Sequence, residues 1–184
     1  MMASPPVCDF GWPAPDFNLP ATDGAQHSRD ALMGPNGLLV MFICNHCPYV
    51  LAILDPLVRE AHTLMDMGVG VAAICSNDAT THPADGFGPM TEMAAARGFR
   101  FPYLHDEDQS VARAYDAACT PDFFGFNREG ALQYRGRFDA TRTGVPARDA
   151  PRDLLDAMRQ IAATGIGPEE QVPSIGCSIK WKAT

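Results

Sequence analysis

Cys44 and Cys47 are separated by two residues in the stretch Cys44-Asn45-His46-Cys47-Pro48. Two thiols at that spacing can close a small disulfide ring. They directly follow the apolar run Gly37 to Ile43 and precede a long segment with helical periodicity. The pair therefore reads as a strand-to-helix turn. The positive end of a helix dipole lowers a thiol pKa and raises the thiolate population. The thiolate is the species that attacks disulfides and peroxides. A C-x-x-C beside a β-α pattern reads first as a redox motif. Its bland alternative is half of a zinc site, but the chain has no second C-x-x-C and no H-x-x-H to complete one. His46 lies between the thiols. A nearby imidazolium lowers a thiol pKa and makes the oxidised form more reducible; an exposed loop histidine does neither. A second signal is Cys119-Thr120-Pro121-Asp122, just before a Phe-rich strand. A proline there is either an ordinary edge residue or a cis-proline in a tight turn.

The elements that must position these groups follow from hydrophobic pattern. Leu38 to Ile43 form a nearly uniform apolar run, as in a strand buried on both faces. From Tyr49 to Met67, residues Val50, Ile53, Leu54, Leu57, Val58, Ala61, Leu64 and Met65 recur at helical spacing. Pro56 falls inside that pattern and predicts a kink or break. Gly68 to Cys75 is a second buried strand, followed by a polar loop over residues 76–88. A short helix is expected from Pro89 to Arg97, ended by Gly98. Phe101 to Leu104 is a short strand, and Asp108 can cap a helix over residues 109–117. Phe123 to Phe126 and Leu132 to Arg135 form a hairpin across the turn at residues 127–130. Arg152 to Ala163 is a terminal helix, and the tail from about residue 165 is irregular. Near the start, Ala14 to Leu19 is extended and Asp23-Gly24 marks a turn. The order gives an α/β fold, a mixed central sheet with helices on both faces, in one domain spanning residues 1–184.

Composition bounds the partners. The net charge of −8 argues against nucleic acid and against anionic membrane surfaces. No apolar run reaches membrane-spanning length, and the first residues lack the pattern of a secretory signal. The expected location is the cytoplasm, where persistent structural disulfides are rare. The six cysteines, at 8, 44, 47, 75, 119 and 177, then read as thiols.

In order, these motifs resemble the thioredoxin superfamily. Its strand-loop-helix carries C-x-x-C and packs against a Thr-cis-Pro loop. By that resemblance the Thr120 backbone pairs with an incoming peptide, and Pro121 keeps the dithiol free of metal. Ala14 to Leu19 with Asp23-Gly24, and Phe42 followed by Cys47-Pro48, resemble the peroxiredoxin branch, the alkyl hydroperoxide reductase/thiol-specific antioxidant family. So does the tail from Pro173 to Lys182. The resemblance implies the extended thioredoxin-like fold and places Cys47 at the peroxidatic position. Two departures matter. Cys44 stands where the family has Thr or Ser, and Thr120 stands where a peroxide-activating arginine is expected. A peroxiredoxin frame with thioredoxin-type dithiol chemistry is implied, with slow peroxide reduction.

In the thioredoxin mode, Cys44 is an exposed nucleophile at the helix start and Cys47 resolves the mixed disulfide. In the peroxidase mode, Cys47 attacks the peroxide and its sulfenic acid condenses with Cys44. Pro48, Thr120, Pro121 and His46 support the pair. Cys119 and Cys177 are each either a further redox thiol or an inert one. Cys75 reads as core, and Arg135 and Arg137 read as solvated charges. The first function is a thiol-disulfide oxidoreductase that needs no cofactor, with antioxidant peroxidase activity as a side reaction. Its partners are a disulfide-containing protein, or a small disulfide or peroxide, and a cellular dithiol reductant or oxidant. The second is soft-metal binding by Cys44, Cys47 and His46, with Cys119 or Cys177, for copper, zinc or an iron–sulfur cluster.

Overall fold

The computed structural model describes residues 1–144 and 150–183. In chain order, β1 is Met2–Ala3, β2 Asn18–Pro20, β3 Gln26–Ser28, α1 Arg29–Leu32, β4 Leu38–Phe42 and α2 Pro48–Asp66. Then come β5 Gly70–Cys75, α3 Phe87–Ala96, β6 Tyr103–His105, α4 Ser110–Ala114, β7 Cys119–Thr120 and β8 Asp122–Phe126. The chain closes with β9 Leu132–Tyr134, α5 Asp153–Thr164 and β10 Gly176–Ser178.

The central sheet has the order β6-β5-β4-β8-β9. β4 pairs parallel with β5 and antiparallel with β8, so it sits in the middle of a mixed sheet. All five of its residues are buried. Leu39 and Met41 pack on one face with Leu54 and Leu57 of α2 and Leu155 and Met158 of α5. Leu38, Val40 and Phe42 pack on the other face with Val111 and Ala112 of α4 and with Phe17 and Tyr115. Both faces are covered, which is why the run shows no alternation of polar and apolar residues.

The buried side of α2 carries Val50, Ile53, Leu54, Leu57, Val58, Ala61 and Leu64, the spacing expected of one helical face. Pro48 opens the helix at its first position, where a missing N–H leaves nothing unpaired. Of the kink or break expected at Pro56, the break does not occur: the helix runs on to Asp66. Proline removes one backbone hydrogen bond, at about 3 kcal/mol in a helix interior. Each fully buried aliphatic side chain returns roughly 1.5–3 kcal/mol, so the helix survives.

Other boundaries differ from the pattern by a few residues. α3 starts at Phe87, after a short 3-10 turn over Pro83–Asp85. α4 is shorter than expected because Gln109 and Asp116 take left-handed conformations, with φ of 64° and 50°. Asp108 does accept the Ser110 backbone N–H at 2.9 Å. The segment after residue 165 is irregular apart from β10, which lies antiparallel between β1 and β7. A three-residue strand has no readable period, so its pairing is a tertiary fact. No described helix is long and apolar enough to cross a membrane.

Candidate redox site

β4 delivers Cys44 to the end of the sheet, and α2 begins immediately after Cys47, which is its N-cap residue. Both thiols are buried, Cys44 at 1% exposure and Cys47 at 0%. This corrects the expectation of an exposed Cys44 at the helix start: the residue at the helix N-terminus is Cys47. The two side chains interact directly, and all six cysteines are free thiols in this structure.

β7 and the Thr120–Pro121 peptide, which is cis, close over the pair. Thr120 meets both sulfurs. Its hydroxyl lies 3.3 Å from Cys44 Sγ, and its carbonyl oxygen lies 3.1 Å from Cys47 Sγ. The carbonyl favours a protonated Cys47, which would donate to it. The opposing groups are more numerous: the Cys44 thiol, the Cys177 thiol and the Val50 backbone N–H all favour the anion. They hold the Cys47 pKa down to about 4, the hydrogen bond from Cys44 contributing most, against the burial that raises it. Cys44 moves the other way. Its hydrogen bond to Cys47, then burial, then the Asp85 charge push its thiol well above the ordinary range. The two shifts run in opposite directions, so ionisation of the reduced site favours Cys47 over Cys44.

The turn between the cysteines is pinned by residues that no motif announced. Asp85 is fully buried, and its Oδ1 accepts the Asn45 backbone N–H at 2.8 Å. Asn77 donates to Asp85 Oδ2 at 2.8 Å. The Asn45 side chain donates to the Ala84 carbonyl at 2.8 Å and accepts from the Tyr103 hydroxyl at 3.0 Å. His46 Nδ1 stands 2.6 Å from Asp85 Oδ2, yet it is buried and makes no aligned hydrogen bond. The His46 ring stacks on His82 at 5.1 Å, so His46 is a packed residue rather than a loose loop histidine. Asp85 and Asn77 come from the polar loop over residues 76–88, where an acidic residue carries no sign that it is buried. Composition gave no signal for them.

Cys44, Cys47, His46, Pro48, Thr120 and Pro121 are therefore brought together, and Cys177 joins them from the tail. Cys177 of β10 lies opposite Thr120 in register, and its side chain packs against the hydrophobic core cluster that includes Cys44 and Cys47. Cys119 is turned to the Pro121 carbonyl at 3.4 Å, and burial raises its pKa. Cys75 is buried and pushed up to about 12. The expectation of a solvated Arg135 is wrong. It is 6% exposed, pairs with buried Asp122 at 3.1 Å, donates to the Asp116 carbonyl at 2.7 Å and lies over the Phe124 ring. Arg137 pairs with Asp153 at 2.5 Å. It lines a cleft of 90 Å³ with Tyr49, Pro121, Phe138 and Ser174. As metal ligands, the described residues place Cys44 Sγ, His46 Nδ1 and an Asp85 oxygen within 4.8 Å of one another. An ion there would have to compete with the Asn45 and Asn77 hydrogen bonds to Asp85.

The sequence profile of the AhpC/TSA family matches residues 10–135, well over half of the chain and both halves of the site. The chain belongs to the AhpC/TSA family. It is a peroxiredoxin-like member of the thioredoxin superfamily, and that membership assigns it to thiol redox chemistry. Two solved structures are similar along the whole AhpC/TSA chain. An uncharacterized conserved protein from Geobacillus kaustophilus is 41% identical, with a TM-score of 0.93, covering 100% of this chain and 98% of that one. A hypothetical protein from Sinorhizobium meliloti 1021 is 40% identical, with a TM-score of 0.93 and 100% of both chains covered. A secreted Mycobacterium tuberculosis disulfide oxidoreductase homologous to E. coli DsbE shares the fold, at 17% identity and a TM-score of 0.58 over 80% of this chain and 94% of that one. No curated protein matches the chain in sequence.

Proposed function

We propose that the chain is a thiol-disulfide oxidoreductase whose working unit is the Cys44–Cys47 dithiol, with Cys47 as the nucleophile. The observation that carries this reading is the burial of both thiols together at the N-terminus of α2, with Thr120 against both sulfurs. Cys47 caps α2 and is held as a thiolate near pKa 4, with the Cys44 thiol donating to it. Cys47 attacks one sulfur of a substrate disulfide and forms a mixed disulfide, releasing one substrate thiolate. Cys44 then attacks Cys47, the substrate's second thiolate leaves, and the Cys44–Cys47 disulfide remains. The enzyme loses two electrons and the substrate gains them. Thr120 flanks both sulfurs and holds them on one side of the β7 turn. A cellular dithiol reductant returns the pair to its reduced state. The thiols suit a reducing compartment, and we place the protein in the cytoplasm.

A second reading is favoured by burial. Sulfurs at 0–1% exposure and a cleft of 90 Å³ beside Pro121 suit a small oxidant better than a folded protein. Peroxide reduction at Cys47 would give a sulfenic acid that condenses with Cys44, with loss of water. Soft-metal binding rests on Cys44, His46 and Asp85, and metal analysis of protein purified under reducing conditions tests it directly.

Stopped-flow consumption of hydrogen peroxide and of a small disulfide by wild type, Cys44→Ser and Cys47→Ser separates these reactions. The oxidoreductase reading expects faster disulfide than peroxide turnover in wild type, much slower disulfide turnover in Cys44→Ser and no reaction in Cys47→Ser. Rapid peroxide consumption by Cys44→Ser, with sulfenic acid trapped on Cys47, would make peroxide reduction the primary activity. Alkylation mapping after mild diamide treatment must find Cys44 and Cys47 linked. Both remaining free while Cys119 oxidises would sink the dithiol reading.

A further inference from the structure

The reduced and oxidised pair share a difficulty: both sulfurs are buried, so a thiol in solvent cannot easily reach their disulfide. One thiol in the structure connects that interior to the surface. Cys177 is half-buried, unlike Cys44 and Cys47. It sits in β10 directly opposite Thr120, the residue whose carbonyl oxygen is 3.1 Å from Cys47 Sγ. Residues facing each other across an antiparallel pair have Cα atoms only about 4.5–5.5 Å apart. The Cys177 side chain packs against the core cluster that contains both site thiols, and Cys177 and Cys47 each shift the other's ionisation.

The strand is built to stay there. Gly176 approaches Thr120 so closely that a Cβ would meet the Thr120 carbonyl oxygen at 2.1 Å. β1 pairs on the other side of β10, with Met2 opposite Cys177. Beyond the strand, Ile179 is buried and the Lys180 backbone is held by Asn77, Asp78 and Gln109. Asn77 is also the residue that donates to Asp85 under the dithiol turn. The tail and the turn thus share a support.

We infer that Cys177 is a third redox thiol of this site, which takes the disulfide from the buried pair and presents it to thiols in solvent. The inference rests on the dithiol reading above. In the oxidised site, the Cys177 thiolate attacks Cys47 Sγ. The Cys44–Cys47 bond breaks and Cys44 leaves, taking up a proton. One disulfide replaces another, so no electron leaves the protein. The hydrogen bond to anionic Cys47, the main reason Cys44 resists ionisation, is absent once Cys47 is in a disulfide. A small thiol such as glutathione then attacks Cys177 Sγ and expels Cys47, whose low pKa makes it the better leaving group. A second glutathione cleaves the mixed disulfide on Cys177, giving glutathione disulfide and a fully reduced enzyme.

The test measures the Cys44–Cys47 disulfide and its reduction separately. Wild type, Cys177→Ser and Gly176→Ala are oxidised with diamide, mapped by mass spectrometry, and reduced with excess glutathione. All three should form the Cys44–Cys47 disulfide. Cys177→Ser should then be reduced at least about tenfold more slowly, since its remaining disulfide is buried. Gly176→Ala, which keeps the thiol but cannot keep β10 seated on Thr120, should be slowed in the same direction. Cys44→Ser, oxidised alone, should link Cys47 to Cys177. If the Cys44–Cys47 disulfide forms in every variant, is reduced at the wild-type rate without Cys177, and Cys44→Ser shows no Cys47–Cys177 link, the inference is wrong and the dithiol reading stands. If no Cys44–Cys47 disulfide forms even in wild type, the dithiol reading falls and takes the inference with it.

Discussion

At the scale of single residues, the site is governed by which sulfur holds the negative charge. Cys47 is depressed from the ordinary thiol value of 9.0 to about 4, so it stays ionised well below neutral pH. The rate of Cys47 oxidation by hydrogen peroxide should therefore be flat between roughly pH 6 and 8, and fall only as pH drops toward 4. A rate that rises steadily toward pH 9 would mean that Cys47 is an ordinary thiol. The same shift has a stability consequence. A group whose folded pKa is depressed contributes stability that is complete above its unfolded value and lost as pH falls through its folded value. Wild type should gain stability relative to Cys47→Ser between about pH 4 and 9, and urea titrations at pH 5 and 8 measure the gain. Asp85 acts differently, by holding the turn. Asp85→Ala leaves the Asn45 N–H and the Asn77 amide without their acceptor and should cost roughly 1–3 kcal/mol for each donor left unpaired. Asp85→Asn, which keeps an acceptor oxygen, should recover part of that loss in the same denaturation assay.

At the scale of elements, α2 is the instructive case. Its apolar stripe was legible residue by residue, yet the break that Pro56 allowed for does not occur. Local propensity lost to burial of one continuous face against the sheet and α5. Replacing Pro56 with alanine restores a backbone hydrogen bond and removes a ring clash. The helix-interior penalty of proline is about 3 kcal/mol, from which the reduced unfolded-state entropy of proline subtracts up to about 1. Pro56→Ala should raise stability by about 2–3 kcal/mol, read as a higher urea midpoint at an unchanged slope. A lower midpoint would show that the proline ring itself packs productively.

At the scale of the whole molecule, the cis-proline joins β7 to β8, a buried ion pair ties β8 to the end of β9, and a hydrogen bond from the same arginine reaches the loop before β7. Arg135 follows β9, Asp122 starts β8, and the Asp116 carbonyl completes the arginine's contacts. Arg135→Ala would strand the Asp122 carboxylate in the interior and should destabilise the protein by about 3–5 kcal/mol. Converting both partners, Asp122→Leu with Arg135→Met, should recover most of it, because two apolar groups leave no buried charge. If the double variant were as unstable as the single one, packing over Phe124 rather than charge would be the reason for the loss.

The fold class and the dithiol were legible in the chain alone because each rests on local chemistry. A strand buried on both faces must be apolar throughout, a helix with one buried face must repeat at 3.6 residues, and two thiols separated by two residues meet whatever surrounds them. Everything that depends on distant segments meeting was decided by tertiary structure. Asp85 is 38 residues beyond Cys47 in the chain, and only folding removes it from water and sets it beneath the turn. Arg135 read as a surface charge because no sequence pattern reveals a buried partner 13 residues away. What separates the two cysteines physically is where the helix begins. Sequence spacing is symmetric between Cys44 and Cys47, whereas the helix dipole and the donors around Cys47 are not. Cys177 met the pair only because β10 found the open edge of β7, a pairing that backbone hydrogen bonds specify and side-chain pattern does not.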